Sequence, residues 1–196
     1  LRDYKSEQTN GYANLIFQDI IGSVAHKYKV GASMTYDKYR ENIESNIFDR
    51  TETVTGVFAE YTFSPNEKFD VVLGLREDYN SLYGWFTTPR LVARYNPFTG
   101  NTLRFSTGRG QRTANIFAEN LSMLASSRTI NYAQLQNQKN AYGLRPEVSW
   151  NTGFTVDQNF QLFGRESGLS LELFHNNFNN QVVIDWENPR EVSIYN

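Results

Sequence analysis

A chain of 196 residues can hold one domain or form part of a larger one. Charged residues make up 20%, the formal net charge is −2, and no concentrated basic face points to nucleic acid. Cysteine is absent, which excludes disulfides and thiolate metal sites.

No apolar run reaches the ~18 residues of a transmembrane helix. Membrane β-strands need only about 9 to 11 residues and hide their apolar face in alternation. A mean hydropathy of −0.57 is therefore compatible with a barrel. The 12 Tyr and 14 Phe suit strands and the interfacial girdles of membrane barrels, and an aromatic-rich soluble sandwich would share them. Leu1-Arg2-Asp3-Tyr4 is not the start of a signal peptide. The chain is then either cytoplasmic or an internal piece of a longer precursor, and with no initiator Met the internal piece is the expectation.

In chain order, the residues up to Gly11 read as the tail of a long loop. Strands are expected over Tyr12 to Gly22, Lys27 to Asp37, Glu52 to Phe63 and Lys68 to Tyr79. Further strands are expected over Pro89 to Tyr95, Thr102 to Gln111, Val148 to Phe160 and Gly168 to Phe178. The period of two is plain: Phe69, Val71, Leu73 and Leu75 oppose Asp70, Val72, Gly74, Arg76 and Asp78. Leu91, Ala93 and Tyr95 oppose Arg90, Val92 and Arg94; Leu169, Leu171 and Leu173 oppose Ser170, Glu172 and Phe174. A short helix is expected around Asn115 to Leu124, and Asn179 to Asn196 reads as a long loop entering a further strand.

The links alternate. Those after odd-numbered strands are tight, as at Ser64-Pro65-Asn66-Glu67 and from Asn96 to Asn101. Those after even-numbered strands read as longer, as from Lys38 to Arg50 and from Arg112 to Glu147. Short turns on one side and long loops on the other are the habit of outer-membrane barrels. Mid-strand charges such as Arg104 and Glu172 fit a wet or plugged lumen, and equally the exposed face of a soluble sandwich. The fold class expected is all-β: an antiparallel up-and-down meander of about eight strands, a partial segment of a transmembrane β-barrel.

Sites of chemistry were sought. The two histidines, His26 in an expected tight turn and His175 on a strand, have no second ligand near them, so no metal site is expected. No HExxH, GxSxG or P-loop pattern occurs. Asp37, Glu41, Glu44 and Asp49 read as acids of a solvated loop, and no spacing suggests a catalytic carboxylate pair. No enzyme and no cofactor are expected.

The stretch Thr88-Pro89-Arg90 to Tyr95-Asn96-Pro97, followed by Gly108-Arg109-Gly110-Gln111-Arg112-Thr113-Ala114 and Glu119-Asn120, resembles the barrel of TonB-dependent outer-membrane receptors. Their barrels often carry TPR-x-x-x-x-Y-x-P, then a strand ending in G-x-G-[FY]-R-[AT]-P-x-x-x-E. Gly143-Leu144-Arg145-Pro146-Glu147-Val148-Ser149-Trp150-Asn151 is similar to the family's LKPE-x-S-x-N segment, and Phe178 to Val183 is similar to the end of its following strand. The style is most similar to receptors of the Bacteroidetes group. Where the family often has aromatic-Arg-x-Pro, this chain has Gln111-Arg112-Thr113-Ala114.

The resemblance implies that residues 1–196 are part of such a barrel, about a third of a receptor of about 22 strands, with the plug domain, TonB box and C-terminal strand absent. It implies a protein of the bacterial outer membrane that imports a scarce nutrient (an iron-siderophore, haem, cobalamin or a glycan) with energy transmitted by TonB. The implied partners are outer-membrane lipid, the receptor's own plug, TonB and the ligand. The competing readings are a soluble all-β binding module, carbohydrate-binding or adhesin-like, and a passive porin.

Arg90, Arg94, Arg104 and Glu172 are expected on the lumen side, where they either bond a plug or stand solvated. Arg109 and Arg112 are expected at the extracellular rim, drawing an anionic ligand or making loop salt bridges. Tyr79, Tyr83, Trp85 and Phe86 are expected in an extracellular loop, where they bind a sugar or siderophore ring, or else form the outer girdle. Leu169, Leu171 and Leu173 are expected to face lipid.

Overall fold

The computed structural model describes residues 2–135 and 140–196. Its elements in chain order are β1 (Tyr4–Ile21), β2 (Ser23–Ile43), β3 (Asn46–Ile47), β4 (Arg50–Asn66), β5 (Phe69–Asn80) and β6 (Gly84–Tyr95). There follow β7 (Asn101–Arg112), short helical turns at Ile116–Glu119 and Leu121–Ala125, and β8 (Thr129–Ile130). After two more helical turns, Tyr132–Leu135 and Ala141–Gly143, come β9 (Glu147–Leu162), β10 (Arg165–Asn179), β11 (Val183–Asp185) and β12 (Glu191–Tyr195).

Eight long strands form one antiparallel wall in the order β1-β2-β4-β5-β6-β7-β9-β10, with β3 attached to β2. Each long strand pairs with its neighbours in the chain, so the meander expected from the alternation is the one observed. The tight turns lie at one end. Phe163 and Gly164 both have positive φ, 51° and 72°, between paired Leu162 and Arg165. That is the twist-matched two-residue turn in which Gly costs least. At the β4–β5 turn, Asn66 Oδ1 accepts the Lys68 N–H at 2.9 Å.

The other end differs from expectation in four places. Residues from Tyr4 onward are strand, not loop: Tyr4 pairs with Ile43, so β1 and β2 run on far above Tyr12 and Asp37. The β2–β4 link shrinks to Glu44–Asp49 including β3, and the β5–β6 link to Ser81–Tyr83. Only the β7–β9 connection is long. Asn179 to Asn196 does not enter a further wall strand. It folds back as β11 and β12, which build a small sheet with β8 of the long connection, in the order β11-β12-β8.

The packed apolar core lies in this cap rather than in the wall. Ile43, Phe48, Ile116, Phe117, Met123, Leu124, Tyr142, Val192 and Ile194 are buried together. Phe48 and Phe117 have ring centroids 5.0 Å apart. The long connection is thus held by its own hydrophobic cluster over the tops of β1 and β2.

Candidate functional site

The two faces of the wall differ in chemistry. Cross-strand register puts Phe17, Val30 and Ala59 in one row with Leu75. It puts Leu73, Leu91 and Thr107, and then Ala93, Phe105, Phe154 and Leu173, in others. These large apolar side chains are exposed, Leu171 by 55% and Leu15 by 77%. A continuous apolar sheet of this extent needs a non-aqueous neighbour.

Aromatics bound it above and below. Trp85, 71% exposed, meets Tyr79 edge-on at 5.3 Å, and Trp150 Nε1 donates to Thr107 Oγ1 at 2.9 Å. Phe69 and Tyr95 pair edge-on at 6.4 Å at the lower margin. Trp85 and Tyr95 lie at opposite ends of β6. At about 3.3 Å per residue and a tilt of about 45°, their vertical separation is about 23 Å, close to the height of a barrel's apolar band. Tyr79, Trp85 and Phe86 are therefore strand residues, and only Tyr83 of that group lies in a link.

The opposite face is polar, as the period of two requires. Near the tight turns Arg94 Nε donates to Asp70 Oδ2 at 2.7 Å. Arg104 pairs with Asp157, whose Oδ1 accepts from Ser170 Oγ at 2.7 Å. Arg90 and Glu172 share this face and have no side-chain partner among the described residues. His26, on the belt face by its register through Phe63 to Val71, is not in a turn. It pairs with Phe63 within β2 and β4, its Nδ1 2.5 Å from the Tyr61 hydroxyl. Higher up, Arg76 donates to Asp78 at 2.7 Å and to Ser33 Oγ at 2.6 Å. Glu52 Oε1 accepts from Asn80 Nδ2 at 2.6 Å and from Thr113 Oγ1 at 2.6 Å.

At the top of the polar face, five elements meet on one buried ion pair. Arg50 and Glu41 lie 3.4 Å apart, with side chains 8% and 1% exposed. Glu41 is thus a buried strand residue, not a loop acid. Tyr4 donates to Glu41 Oε1 at 3.0 Å, and Tyr142 donates to Glu41 Oε2. Arg50 donates to the Tyr142 hydroxyl at 2.7 Å and to Asn115 Oδ1, and its guanidinium lies 3.8 Å from the Tyr39 ring centroid. Burial above all, and then the Glu41 carboxylate, raise the Tyr142 hydroxyl above the ordinary tyrosine range. This knot fastens the long connection to β1, β2 and β4. Nothing in local periodicity signals it, because its partners come from distant segments.

Arg112 closes the rim. It donates through Nε to Glu147 at 2.6 Å and in a fork to Glu119 at 3.0 and 2.9 Å, so it grips both ends of the long connection. Arg109 sits where the β6–β7 ladder stops, after Arg90↔Gly108. Pro89 comes next on β6 and has no N–H to continue the ladder. Arg109 fills the opening, donating to the Thr87 carbonyl at 3.2 Å with its guanidinium 4.4 Å from the Phe86 ring. Tyr83 packs against the cap core, and burial, then the charge of Glu52, raise its hydroxyl. Arg112, Tyr83, Arg109 and Trp85 therefore do not converge on one pocket: Arg112 and Tyr83 belong to the cap, Arg109 to the seam and Trp85 to the outer belt.

Among the described residues, no helix is long and apolar enough to cross a membrane, which says nothing of strands, and no cluster of His, Asp and Glu could hold a metal ion.

A sequence search of curated proteins returned no match. Solved structures do match in fold. The siderophore receptor PirA from Pseudomonas aeruginosa aligns with a TM-score of 0.64 at 16% identity, covering 96% of this chain and 34% of that one. The ferripyoverdine receptor of the outer membrane of Pseudomonas aeruginosa, bound to ferripyoverdine, aligns at 0.63 and 13% identity, covering 98% and 29%. The FrpB iron transporter from Neisseria meningitidis aligns at 0.62 and 14% identity, covering 96% and 31%. The chain thus spans about a third of the length of these receptors. Residues 2–195 match the family described as TonB dependent receptor-like, beta-barrel. The apolar belt, the polar inner face and this match agree: the chain belongs to the TonB-dependent receptor β-barrel family.

Proposed function

We propose that this chain is the wall section of an outer-membrane receptor that captures a scarce nutrient at its extracellular mouth and imports it with energy transmitted by TonB. The observation that carries the reading is the pairing of two faces on one sheet. An aromatic-bounded apolar belt faces lipid, and the reverse face is a charged wall crowned by a packed loop cap. The ligand belongs to the class of iron-siderophores, haem, cobalamin or glycans. The fold neighbours are named as siderophore and iron receptors, and at 13–16% identity they share the fold with this chain.

In this reading Arg90, Arg94, Arg104 and Glu172 face a plug domain. Arg90 and Glu172 are the two without a side-chain partner among the described residues. Arg112 and Tyr83 stand beside the ligand's path under the cap, while Arg109 and Trp85 serve the wall. The test is fractionation of source cells with an antibody to this chain, followed by ligand uptake with and without TonB. An outer-membrane band far above 22.7 kDa and uptake that ceases without TonB support the reading. Uptake indifferent to TonB indicates a porin, and a soluble band at 22.7 kDa indicates a free-standing β-module.

A further inference from the structure

Above the apolar belt, the polar face of β1 and β2 carries an array of side chains whose hydrogen-bonding directions are fixed. Asn10 pairs directly with Asp37 and Gln8 with Tyr39. Asp37 Oδ1 accepts from Gln8 Nε2 at 2.9 Å and from Asn10 Nδ2 at 2.9 Å, and Gln8 Nε2 also reaches the Tyr39 hydroxyl at 3.0 Å. An ionised carboxylate only accepts, so it turns both amide NH₂ groups toward itself. The amide oxygens of Gln8 and Asn10 then point away, and with Asp37 Oδ2 they have no partner among the described residues. The result is a short row of acceptors held in place by their own donors. Tyr39 cannot swing, because the Arg50 guanidinium lies against its ring at 3.8 Å.

Two further features narrow the ligand. Tyr12, 65% exposed, is the next residue of β1 on this face after Asn10, which sets an open ring beside the row. Among the described residues no unpaired cation accompanies it: Arg76, whose charge reaches Tyr12, is paired with Asp78 at 2.6 Å. Arg40 lies on the opposite face with Glu7, and Arg50 is spent on Glu41. A polyanion would meet a carboxylate and two amide oxygens with nothing to balance its charge. Adjacent hydroxyl groups on a ring with an apolar face meet acceptors and a flat aromatic together.

We propose that Gln8, Asn10, Asp37 and Tyr12 form a binding wall for a neutral polyhydroxylated ligand of the saccharide class. This rests on the receptor reading above and selects within its ligand classes, against the siderophores for which the fold neighbours are named.

The experiment uses the full-length receptor, purified in detergent, with three probes: a pool of neutral gluco-, manno- and xylo-hexasaccharides, an anionic ferric tris-catecholate, and a neutral ferric tris-hydroxamate. The expected result is saturable binding of a hexasaccharide, weakened at least about tenfold in the Gln8→Ala/Asn10→Ala variant, as loss of about 1.4 kcal/mol requires. Asp37→Asn, which frees the amides to rotate, is expected to weaken it similarly. Far-ultraviolet spectra and heat-resistant migration verify that the variants are folded. The proposal is overturned by absence of hexasaccharide binding to the wild type, by hexasaccharide binding equal in wild type and variant, or by a ferric complex whose binding is the one lost in the variant. A receptor that fails these probes while residing in the outer membrane and importing another ligand through TonB removes the saccharide assignment alone. One that shows neither removes the receptor reading as well.

Discussion

Tyr142 donates a hydrogen bond to Glu41, a carboxylate 101 residues earlier in the chain, and the same hydroxyl accepts from Arg50 at 2.7 Å. One phenol thus bridges both members of a buried ion pair and ties the cap to the wall. Replacing Arg50 with Ala leaves the Glu41 carboxylate buried with only tyrosine donors, and stranding one member of such a pair costs about 3–5 kcal/mol. The expected outcome is release of the cap. Limited proteolysis of the full-length receptor should cut Arg50→Ala between residues 113 and 146 at protease levels that spare the wild type. The heat-resistant barrel band should persist. Equal protease resistance would show that the apolar cluster alone holds the cap.

The same phenol makes the cap sensitive to alkali. Its pKa is raised in the folded cap above the value of 10.0 expected for an exposed tyrosine. The folded cap therefore holds the proton more tightly than the released one. The stabilisation is complete below about pH 10 and declines as pH rises beyond it, because the released state gains by ionising first. Cap release followed by proteolysis should increase above about pH 10 in the wild type. Tyr142→Phe should lower protection near neutral pH by about 1–3 kcal/mol and flatten the alkaline limb. An unchanged alkaline limb in that variant would assign it to another group.

Gly31 is where the wall has no room. A Cβ there would lie 2.5 Å from the Leu15 carbonyl oxygen and 2.5 Å from the Phe58 ring. The backbone oxygen cannot give way as a side-chain tip could, so Gly31→Ala should cost about 1–3 kcal/mol. Gly11 on the adjacent strand meets nothing closer than Tyr36 Cβ at 4.0 Å. Gly11→Ala should be neutral in the same urea titration of the folded receptor. Equal midpoints for the two variants would show that the Phe58 ring and the β1 backbone shift freely.

Leu171 is 55% exposed on the belt face of β10, opposite Val156. An arginine at the mid-bilayer on that face costs about 2–4 kcal/mol. Leu171→Arg should deplete folded receptor from the outer membrane, whereas Leu171→Val should not. Normal levels of heat-modifiable Leu171→Arg receptor would move this residue out of the belt.

The wall was legible wherever one of its faces meets lipid and the other water. Phe69 to Leu75 and Leu169 to Leu173 alternate because that contrast forces them to, and β5, β7, β9 and β10 lie within a few residues of expectation. Tyr4–Asn10 and Lys38–Asn42 belong to the same strands but lie above the belt, with water on both sides. Glu7 and Arg40 therefore face outward as freely as Gln8 and Asp37 face inward, the apolar alternation vanishes, and strand reads as loop. Trp85 was ambiguous for a different reason: an aromatic in a girdle and one in a loop look alike until the register is known. The Glu41–Arg50–Tyr142 knot was beyond reach because it is made of contacts between segments, and spacing along one chain does not encode those. The family motifs fared better, since Pro89 and Glu147 mark a ladder break and a strand start that local geometry imposes.

The extension of β1 and β2 above the belt has a kinetic consequence. Gln8, Asn10, Asp37 and Tyr39 stand on hydrogen-bonded strand rather than on a mobile loop. Their geometry exists before any ligand arrives, and little conformational freedom is lost on contact. Encounter with this wall should thus proceed without a slow closure step, at rates near about 10⁵–10⁷ M⁻¹s⁻¹, and variants along it should differ chiefly in how long the ligand stays.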